Sequence, residues 1–439
     1  MKPLYLTRFL LVLSLLFSAV ASNAAGNNLT TKTDSSAIAK TTAKPAAKKA
    51  DPDTAWKPVR RIWGYSFGDF YYDAHTDAGG RGGETNYAGV PTYRNAFQFR
   101  RLYLGYDYDI TKKFSATLLL ASEPTASTSA SGTTSIQNND NLVDGKMSFF
   151  IKQMNLRVRD LWSGTDFVIG EMATPTWSFL PEQVWGYRFD ERTIADLHKL
   201  GNSYDVGAAL QGTFDPATKN FGYNFMVGNN SQAVLANASS PNTGFYKQFY
   251  GDIWGKFLDQ RIIVDLYDDY VRTAAATFAV GGQAHSLTKG MLAYSTPKFT
   301  LGVEAFTEKI TNGVDITPIG GTSKTAVNAT AQGISIYSHG AIYKDKLGYF
   351  VRYDTYNPDK DFDSGDTYAV NTNISSYTPY QKEQFYNLGI DYTPAKNIHF
   401  APNVWLYEFK DQRASTTTGY LPNDHTLIYR LTFFFTFGK

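Results

Sequence analysis

The segments that connect the strand-like parts of this chain alternate between short and long. From about Arg60 to the end, aromatic-rich segments of alternating hydrophobicity come in pairs, and a tight turn joins the members of each pair. These turns are residues 111–113, 163–165, 215–218, 258–260, 296–298, 344–346 and 393–396. Longer connectors rich in Gly, Ser, Thr and Asn run between the pairs. A soluble sandwich has no reason to keep its long loops on one side, whereas an outer-membrane barrel has short periplasmic turns and long outer loops. The rhythm therefore predicts such a barrel.

The last segment shows the barrel pattern most clearly. With a period of two, one set of side chains faces lipid and the other faces the lumen. The outward set is Leu427, Tyr429, Leu431, Phe433, Phe435 and Phe437, and the inward set is Ile428, Arg430, Thr432, Phe434 and Thr436. Counting comparable segments predicts an all-β fold, a transmembrane antiparallel barrel of about 16 strands over residues 59–439, with fourteen or eighteen strands as alternatives.

The N-terminal residues indicate export. Lys2 and Arg8 precede an apolar run over residues 9–20, and small residues follow, so residues 1–25 are interpreted as a signal peptide. The run is shorter than the roughly 18 apolar residues of a lipid-spanning helix. Residues 26–58 are rich in Ala, Thr, Lys and Pro and are interpreted as a disordered basic periplasmic segment. This segment either binds peptidoglycan or serves as a solvated linker.

The third long connector, residues 174–202, differs in composition from the other loops. It is dense in Trp, Leu and charged residues, whereas a flexible outer loop is polar and rich in Gly, as residues 125–139 are. A segment with this many aromatic side chains has to pack against something, and the inner wall of the barrel is the natural place. We therefore expect this third loop to fold inward and narrow the lumen. The alternatives are a lid over the barrel or a clasp on a neighbouring subunit.

The charged residues of this loop are the candidate constriction residues. From the loop they are Glu182, Arg188, Asp190, Glu191, Arg192 and Asp196, and from the facing wall they are Arg101, Arg157 and Arg159. Opposed acidic and basic groups at a narrow point bias which ions enter. The alternative for each of them is a solvated loop charge or a structural ion pair. The whole chain has a formal charge of +2, and the segment before Arg60 carries eight Lys or Arg and three acids, so the barrel carries −3.

Parts of the chain also show a family resemblance. Residues 182–188, 192–193, 196 and 203–207 resemble the third-loop region of the phosphate-selective porin O/P-like family, and residues 95–104 resemble an early strand of that group. The resemblance implies a sixteen-stranded, trimeric outer-membrane pore. It does not imply phosphate, because the arginine ladder of phosphate-specific members is replaced here by a mixed predicted wall. That wall combines Arg101, Arg157, Arg159, Arg261, Arg352 and Arg430 with Asp107, Asp205, Asp252, Asp265, Asp269, Asp354 and Asp391.

One segment conflicts with the simple alternation. If Met154, Leu156 and Val158 face lipid, strict alternation also places Lys152 there. A charge at the middle of a bilayer costs roughly 2–4 kcal/mol in a barrel. Lys152 is therefore near the interface, or its face contacts a neighbouring subunit, or the register slips.

The remaining motifs favour a channel over an enzyme. The six histidines are scattered along the sequence without a metal-ligand spacing, and we find no nucleophile–base arrangement. Residues 357–366 resemble a calcium loop imperfectly, and a solvated turn is the alternative.

We predict an outer-membrane porin, without a cofactor, a metal or a nucleic-acid partner, for passive diffusion of ions and small hydrophilic solutes. We expect it to contact outer-membrane lipid and lipopolysaccharide and to form a homotrimer. The alternatives are an anion- or phosphate-selective channel and a barrel-anchored enzyme or adhesin.

Overall fold

The computed structural model describes most of the chain after residue 55. The described residues are 56–82, 85, 87–123, 149–230, 246–277, 281–317, 321–323, 325–364, 367–370, 380–417 and 419–438, with four short strands between residues 127 and 147. The predicted signal peptide and nearly all of the basic segment lie outside these residues. Within them, no helix has the length and apolar character needed to cross a membrane.

Sixteen strands form one antiparallel barrel wall. They are β1 (Arg60–His75), β2 (Asn95–Asp109), β3 (Phe114–Ser122), β4 (Phe150–Trp162), β5 (Thr165–Ala173), β6 (Tyr204–Thr213), β7 (Phe221–Gly228), β8 (Gln248–Phe257), β9 (Ile262–Thr277), β10 (Gly281–Thr296), β11 (Phe299–Thr317), β12 (Thr325–Tyr343), β13 (Leu347–Asn357), β14 (Gln381–Ala395), β15 (Ile398–Asp411) and β16 (Asp424–Phe437). Each strand pairs with the next along the chain, and β16 pairs with β1 from Phe437 opposite Gly64 to Leu427 opposite His75. The predicted closed barrel and its strand count are confirmed.

The connectors at the two rims differ as predicted, with two exceptions. The turn between β2 and β3 spans four residues, whereas the connector between β5 and β6 spans residues 174–203. Two connectors on the long side are short, because β9 and β10 leave only residues 278–280 between them and β11 and β12 leave 318–324. Strands β11 and β12 are 19 residues long, well beyond the roughly 9–11 residues that span a bilayer. The expectation of a longer connector between successive pairs of strands is therefore wrong at these two hairpins, where the strands themselves extend. A further short strand, Thr367–Val370, pairs with the end of β11.

The inward and outward faces of β16 agree with the predicted alternation. Ile428, Arg430 and Thr432 are 0–3% exposed, whereas Tyr429 and Leu431 are 45–47% exposed. Because neighbouring strands repeat this alternation, the outer surface is apolar and the buried polar residues point inward.

The register slips once in β4, and this slip places Lys152 inside. Leu119 of β3 pairs with Gln153, and the next residue, Leu120, pairs with Ile151, so Lys152 has no partner opposite it. This is a β-bulge, in which the extra residue changes the phase of the alternation. Ile151 and Met154 stay outside at 51% and 62% exposure, while Lys152 turns inward at 8%. Of the three explanations for Lys152, the register slip is the correct one.

A second bulge in β2 brings two consecutive arginines inside. Phe67 pairs with Arg101 and the next residue of β1, Gly68, pairs with Phe99, so Arg100 has no partner opposite it. Arg100 is buried, and the Arg101 side chain is 17% exposed. Strict alternation allows only one of two adjacent residues to face the lumen, and the bulge allows both.

The third long connector, which joins β5 to β6 and is called the third connector below, packs against inward-facing side chains of the wall. It contains two short helices, α1 (Leu180–Trp185) and α2 (Ile194–Leu197), and Gly186 ends α1 in the left-handed conformation. One buried cluster joins Trp185, Tyr187 and Phe189 to wall residues such as Phe350. A second cluster joins Trp177 and Ile194 to wall residues of β7–β12, namely Met226, Tyr250, Tyr267, Leu287, Phe306 and Ala331. Buried aromatic packing of this extent holds the connector against the wall.

The C-terminal strand suggests a test of assembly. Phe437 is 40% exposed on the outer face, and its ring lies over Gly64 of β1 at the point where the barrel closes. Phe437→Ala is therefore expected to impair barrel assembly, because the closing pair of strands loses an aromatic contact. Deletion of Gly438 and Lys439 is expected to leave assembly unchanged. A heat-modifiability gel measures the folded fraction of both variants, and the reverse order would contradict this reading.

Candidate pore constriction

Three aromatic side chains, two residues apart in the third connector, contact the wall on three different strands. The Trp185 ring lies 5.3 Å from that of Tyr337 on β12, and the Tyr187 ring lies 4.5 Å from that of Phe350 on β13. Phe189 stacks on Phe434 of β16, with ring centroids 4.6 Å apart and planes within 3°. The connector is therefore fixed on β12, β13 and β16.

A buried ion pair fixes the connector at Asp190. Its carboxylate lies 2.9 Å from the Arg430 guanidinium of β16, and both side chains are 0% exposed. Arg430 also donates to Asn403 Oδ1 at 2.7 Å. Arg100 donates to the carbonyl oxygens of Phe189 and Asp190 at 2.5 and 3.0 Å and pairs with Asp69 at 2.6 Å. Both arginines are thus committed to holding the loop.

The next two residues are fixed by a second arginine site. Arg352 of β13 donates to the Arg192 carbonyl oxygen and pairs with Asp354 at 2.5 Å. Its guanidinium also lies 5.3 Å from the Trp185 ring centroid. Glu191 pairs with Arg192 at 3.3 Å. Burial favours the neutral form of Glu191, but the charges of Arg192, Arg100 and Arg430 outweigh it and lower its pKa to about 2.

Asp190, Glu191 and Arg192 therefore occupy one buried region, with whole-residue exposures of 0–9%. Each has a structural partner there. For these three candidates, the arrangement matches one of the alternatives given above, a structural ion pair.

The other three loop candidates meet the wall in a separate group of charges. Arg188 lies 3.3 Å from Asp196 and 3.6 Å from Glu182. On the wall, Arg101 pairs with Glu123 at 2.7 Å, and Lys152 also contacts the Glu123 carboxylate. We call these six residues the charge cluster: Arg101, Glu123, Lys152, Glu182, Arg188 and Asp196. Their side chains are 10–27% exposed.

The two halves of the charge cluster are close enough to influence each other electrostatically. The charges of Arg188 and Asp196 act on Arg101, and the charge of Arg188 also acts on Lys152. Glu182 lies in the loop, outside the membrane-spanning strands. Burial raises the pKa of Glu182 to about 7, although Arg188 opposes this rise. The cluster therefore has three basic and three acidic groups, and the charge of one acidic group, Glu182, changes near neutral pH.

A cavity adjoins the charge cluster. It has a volume of about 180 Å³, and Glu182 and Arg188 lie on its wall. The other residues that line it are Tyr65, Phe67, Gly186, Phe189 and Phe434. Open volume thus remains between the loop and strands β1 and β16, whereas the opposite side of the loop is packed against Met226 and Tyr267.

The remaining wall candidates lie elsewhere. Arg157 pairs with Asp166 at 2.9 Å and donates to Gln211 at 2.8 Å, and Arg159 pairs with Asp109. Both arginines are close to the short turn between β4 and β5. The structure therefore brings Arg101 to the loop but does not bring Arg157 or Arg159 to it.

Sequence reasoning missed three residues of this region: Arg100, Glu123 and Lys152. A signal for two of them is present in the sequence. In β2 the outward apolar residues have odd numbers at Phe97 and Phe99 but an even number at Leu102. In β4 the outward apolar residues change in the same way, from Ile151 to Met154. Such a change of phase predicts a bulge. No comparable local signal points to Glu123.

The calcium-like loop after β13 offers one described acidic side chain with a structural role. Asp359 is 2% exposed and accepts N–H groups of Thr330 and Asp361 at 3.1 and 3.2 Å. Its Oδ1 atom thus supports the turn through two hydrogen bonds from the backbone. Residues 365–366 lie outside the described part of the chain, so the resemblance to a calcium loop stays untested.

Comparisons with known proteins agree on the fold. No protein-family model and no curated protein sequence matches this chain. Among solved structures, the outer-membrane channel DcaP of Acinetobacter baumannii matches with a TM-score of 0.54 at 11% identity, covering 87% of this chain and 97% of that one. The anion-selective porin of Comamonas acidovorans matches with a TM-score of 0.52 at 12% identity, covering 87% and 100%. At such low identity these matches show that the fold is of the porin type.

Proposed function

We propose that this protein is an outer-membrane porin, a water-filled channel for passive diffusion of ions and small hydrophilic solutes. The closed sixteen-stranded barrel, its apolar outer face and its inward polar residues support this function. A barrel of this size encloses an aqueous channel unless something fills it. The third connector fills part of the lumen, so the remaining passage determines what can cross.

The observation that carries the proposal is the partly exposed charge cluster. The passage runs between the third connector and the wall of β1–β4, where Arg188, Asp196 and Glu182 face Arg101 and Lys152. Charged groups on both sides of a narrow passage favour hydrated ions and polar solutes over apolar ones. On the other side of the loop, Trp177 and Ile194 pack against the wall.

The composition of the charge cluster supports weak rather than strong ion selectivity. Its three basic groups face three acidic ones, and Arg100 and Arg430 are paired with Asp69 and Asp190. We therefore propose weak selectivity. The alternative, an anion- or phosphate-selective channel, rests on the convergence of Arg101, Lys152 and Arg188 at one point.

The same proposal covers export and assembly. Residues 1–25 are removed as a signal peptide, and residues 26–58 extend into the periplasm, where they bind peptidoglycan or act as a linker. The barrel lies in the outer membrane among lipid and lipopolysaccharide and forms a homotrimer. Co-sedimentation with peptidoglycan, with and without residues 27–53, tests the periplasmic segment.

A planar-bilayer recording tests the channel itself. Purified refolded protein is added under a tenfold KCl gradient, and stepwise conductance with a small reversal potential is expected. A strong anion preference that added phosphate blocks would favour the alternative channel. Absence of conductance, with a correctly folded barrel on a heat-modifiability gel, would favour a barrel-anchored enzyme or adhesin instead.

A further inference from the structure

Three side chains that could bind a metal meet where the barrel closes. His75 ends β1, while Asp424 and His425 begin β16, so residues about 350 positions apart are brought together by the closing pair of strands. One ligand atom from each lies within 4.8 Å of the others. We propose that His75, Asp424 and His425 bind a divalent transition-metal ion such as zinc.

A local irregularity of β1 positions the first histidine. Asp73 pairs with Ile428, and His75 pairs with the adjacent residue Leu427, so Ala74 has no partner. Ile428 faces inward and Leu427 belongs to the outward face, so the slip turns His75 outward, on the face of His425. The two imidazole rings then stack, with centroids 4.2 Å apart and planes at 28°.

The carboxylate is held in place by backbone groups. Asp424 Oδ1 lies 2.8 Å from His75 Nε2 and accepts the His425 N–H at 2.8 Å. Asp424 Oδ2 accepts the Ala78 N–H at 2.8 Å. Such contacts fix the orientation of a metal ligand and are typical of the groups that surround metal sites. The His425 Nδ1 atom lies 3.7 Å from Asp424 Oδ1.

The spacing of the three ligand atoms suits a small ion after minor adjustment. Metal–nitrogen and metal–oxygen bonds of about 2.0–2.2 Å in a tetrahedron place ligand atoms roughly 3.3–3.5 Å apart. The His75 and His425 side chains are 41% and 43% exposed, so they can rotate to reach this spacing. Two imidazoles and one carboxylate favour zinc, nickel or copper over magnesium or calcium. Exposure leaves a fourth position for water.

The location gives the ion a structural consequence. The first and last strands of a barrel are the only neighbours that no connector holds together, and loop residues on both sides meet here. Asp77 N–H donates to Thr426 Oγ1 at 3.1 Å, and Arg81 donates to the Pro422 carbonyl oxygen at 2.7 Å. An ion bound by His75, Asp424 and His425 would join β1 to β16 and stabilise the closed barrel, because it binds the folded state and not the separated strands.

The binding test uses the full chain, purified without a polyhistidine tag. The protein is equilibrated with zinc sulfate, passed through a desalting column and analysed for bound zinc. About one ion per chain is expected, and His75→Ala and His425→Ala are each expected to reduce it at least tenfold. The matched control is His399→Ala, which removes a histidine that pairs with Asp391 at 3.0 Å elsewhere in the barrel and should retain the ion. Equal zinc in all four proteins would overturn the proposal.

Two further measurements separate binding from misfolding. Cobalt substituted for zinc should give tetrahedral visible absorption in the wild type and the His399→Ala protein, but not in the other two variants. On a heat-modifiability gel, zinc should raise the unfolding temperature of the wild type, EDTA should reverse the rise, and the His75→Ala barrel should be folded but unresponsive. A wild-type barrel without absorption and without a zinc-dependent rise would overturn the proposal.

Discussion

The substitution of Asp190 by asparagine is expected to release the third connector from the barrel wall. Asp190→Asn removes the negative charge that faces Arg430, while both side chains are 0% exposed. Breaking a buried ion pair from one side costs about 3–5 kcal/mol, because the remaining charge stays buried without its partner. We therefore expect a lower free energy of unfolding in urea, together with larger and noisier single-channel currents as the loop loses its attachment.

The matched control is Asp107→Asn. Asp107 pairs with Arg61 at 2.5 Å, but the Arg61 side chain is 52% exposed. Exposed ion pairs contribute about 0–1 kcal/mol, so this variant should resemble the wild type in stability and in current. If both variants lost the same stability, or if neither changed the current, the anchoring role of Asp190 would be wrong.

The substitution of Arg188 by glutamine is expected to shift ion selectivity toward cations. Arg188→Gln removes one of three basic groups in the charge cluster and leaves Glu182 and Asp196 without this partner. The Coulomb energy of one charge on an ion about 4 Å away in water is about 1 kcal/mol, which corresponds to roughly a fivefold change in the permeability of that ion. Because the change has opposite signs for a cation and an anion, the cation-to-anion permeability ratio should rise by more than about fivefold. The reversal potential in a KCl gradient measures this ratio. Arg157→Gln, beside the short turn after β4, is the control and should change it far less.

Selectivity should also depend on pH through Glu182. Because the pKa of Glu182 is raised to about 7, its carboxyl group is mostly neutral at pH 6 and mostly ionised at pH 8. The added negative charge increases the preference for cations as the pH rises. Glu182→Gln should remove this step from the curve of reversal potential against pH. A wild-type curve that is flat between pH 6 and 8 would contradict the placement of Glu182 at the passage.

Much of the fold can be predicted from the sequence, because the signals are local. The alternation in β16 and the turns at one rim predict the strands, their faces and their number. The composition of residues 174–202 indicates a loop that packs rather than one exposed to solvent. The extension of β9–β12 could not be predicted, since polar rim strands and polar loops have similar compositions.

The candidate site could be predicted only in part, because it depends on distances across the lumen. The sequence identifies the charged loop residues but does not separate Arg188 from Asp190, although one joins the partly exposed cluster and the other is fully buried. Glu123 lies just beyond the end of β3, and Lys152 reaches it only because of the bulge in β4, so Lys152 does not fit a simple alternation. His75 and His425 come together only when the barrel closes, and their spacing in sequence carries no signal.

The most direct test of where the passage runs uses single cysteines. The chain contains no cysteine, so Arg188→Cys and Met226→Cys each introduce one thiol. Arg188 belongs to the charge cluster. Met226 packs in the same buried cluster as Trp177, on the other side of the loop, and is 2% exposed. We predict that a charged methanethiosulfonate reagent reduces the conductance of the Arg188→Cys channel and leaves that of the Met226→Cys channel unchanged. Block at Met226→Cys without block at Arg188→Cys would contradict the proposed passage between the third connector and β1–β4.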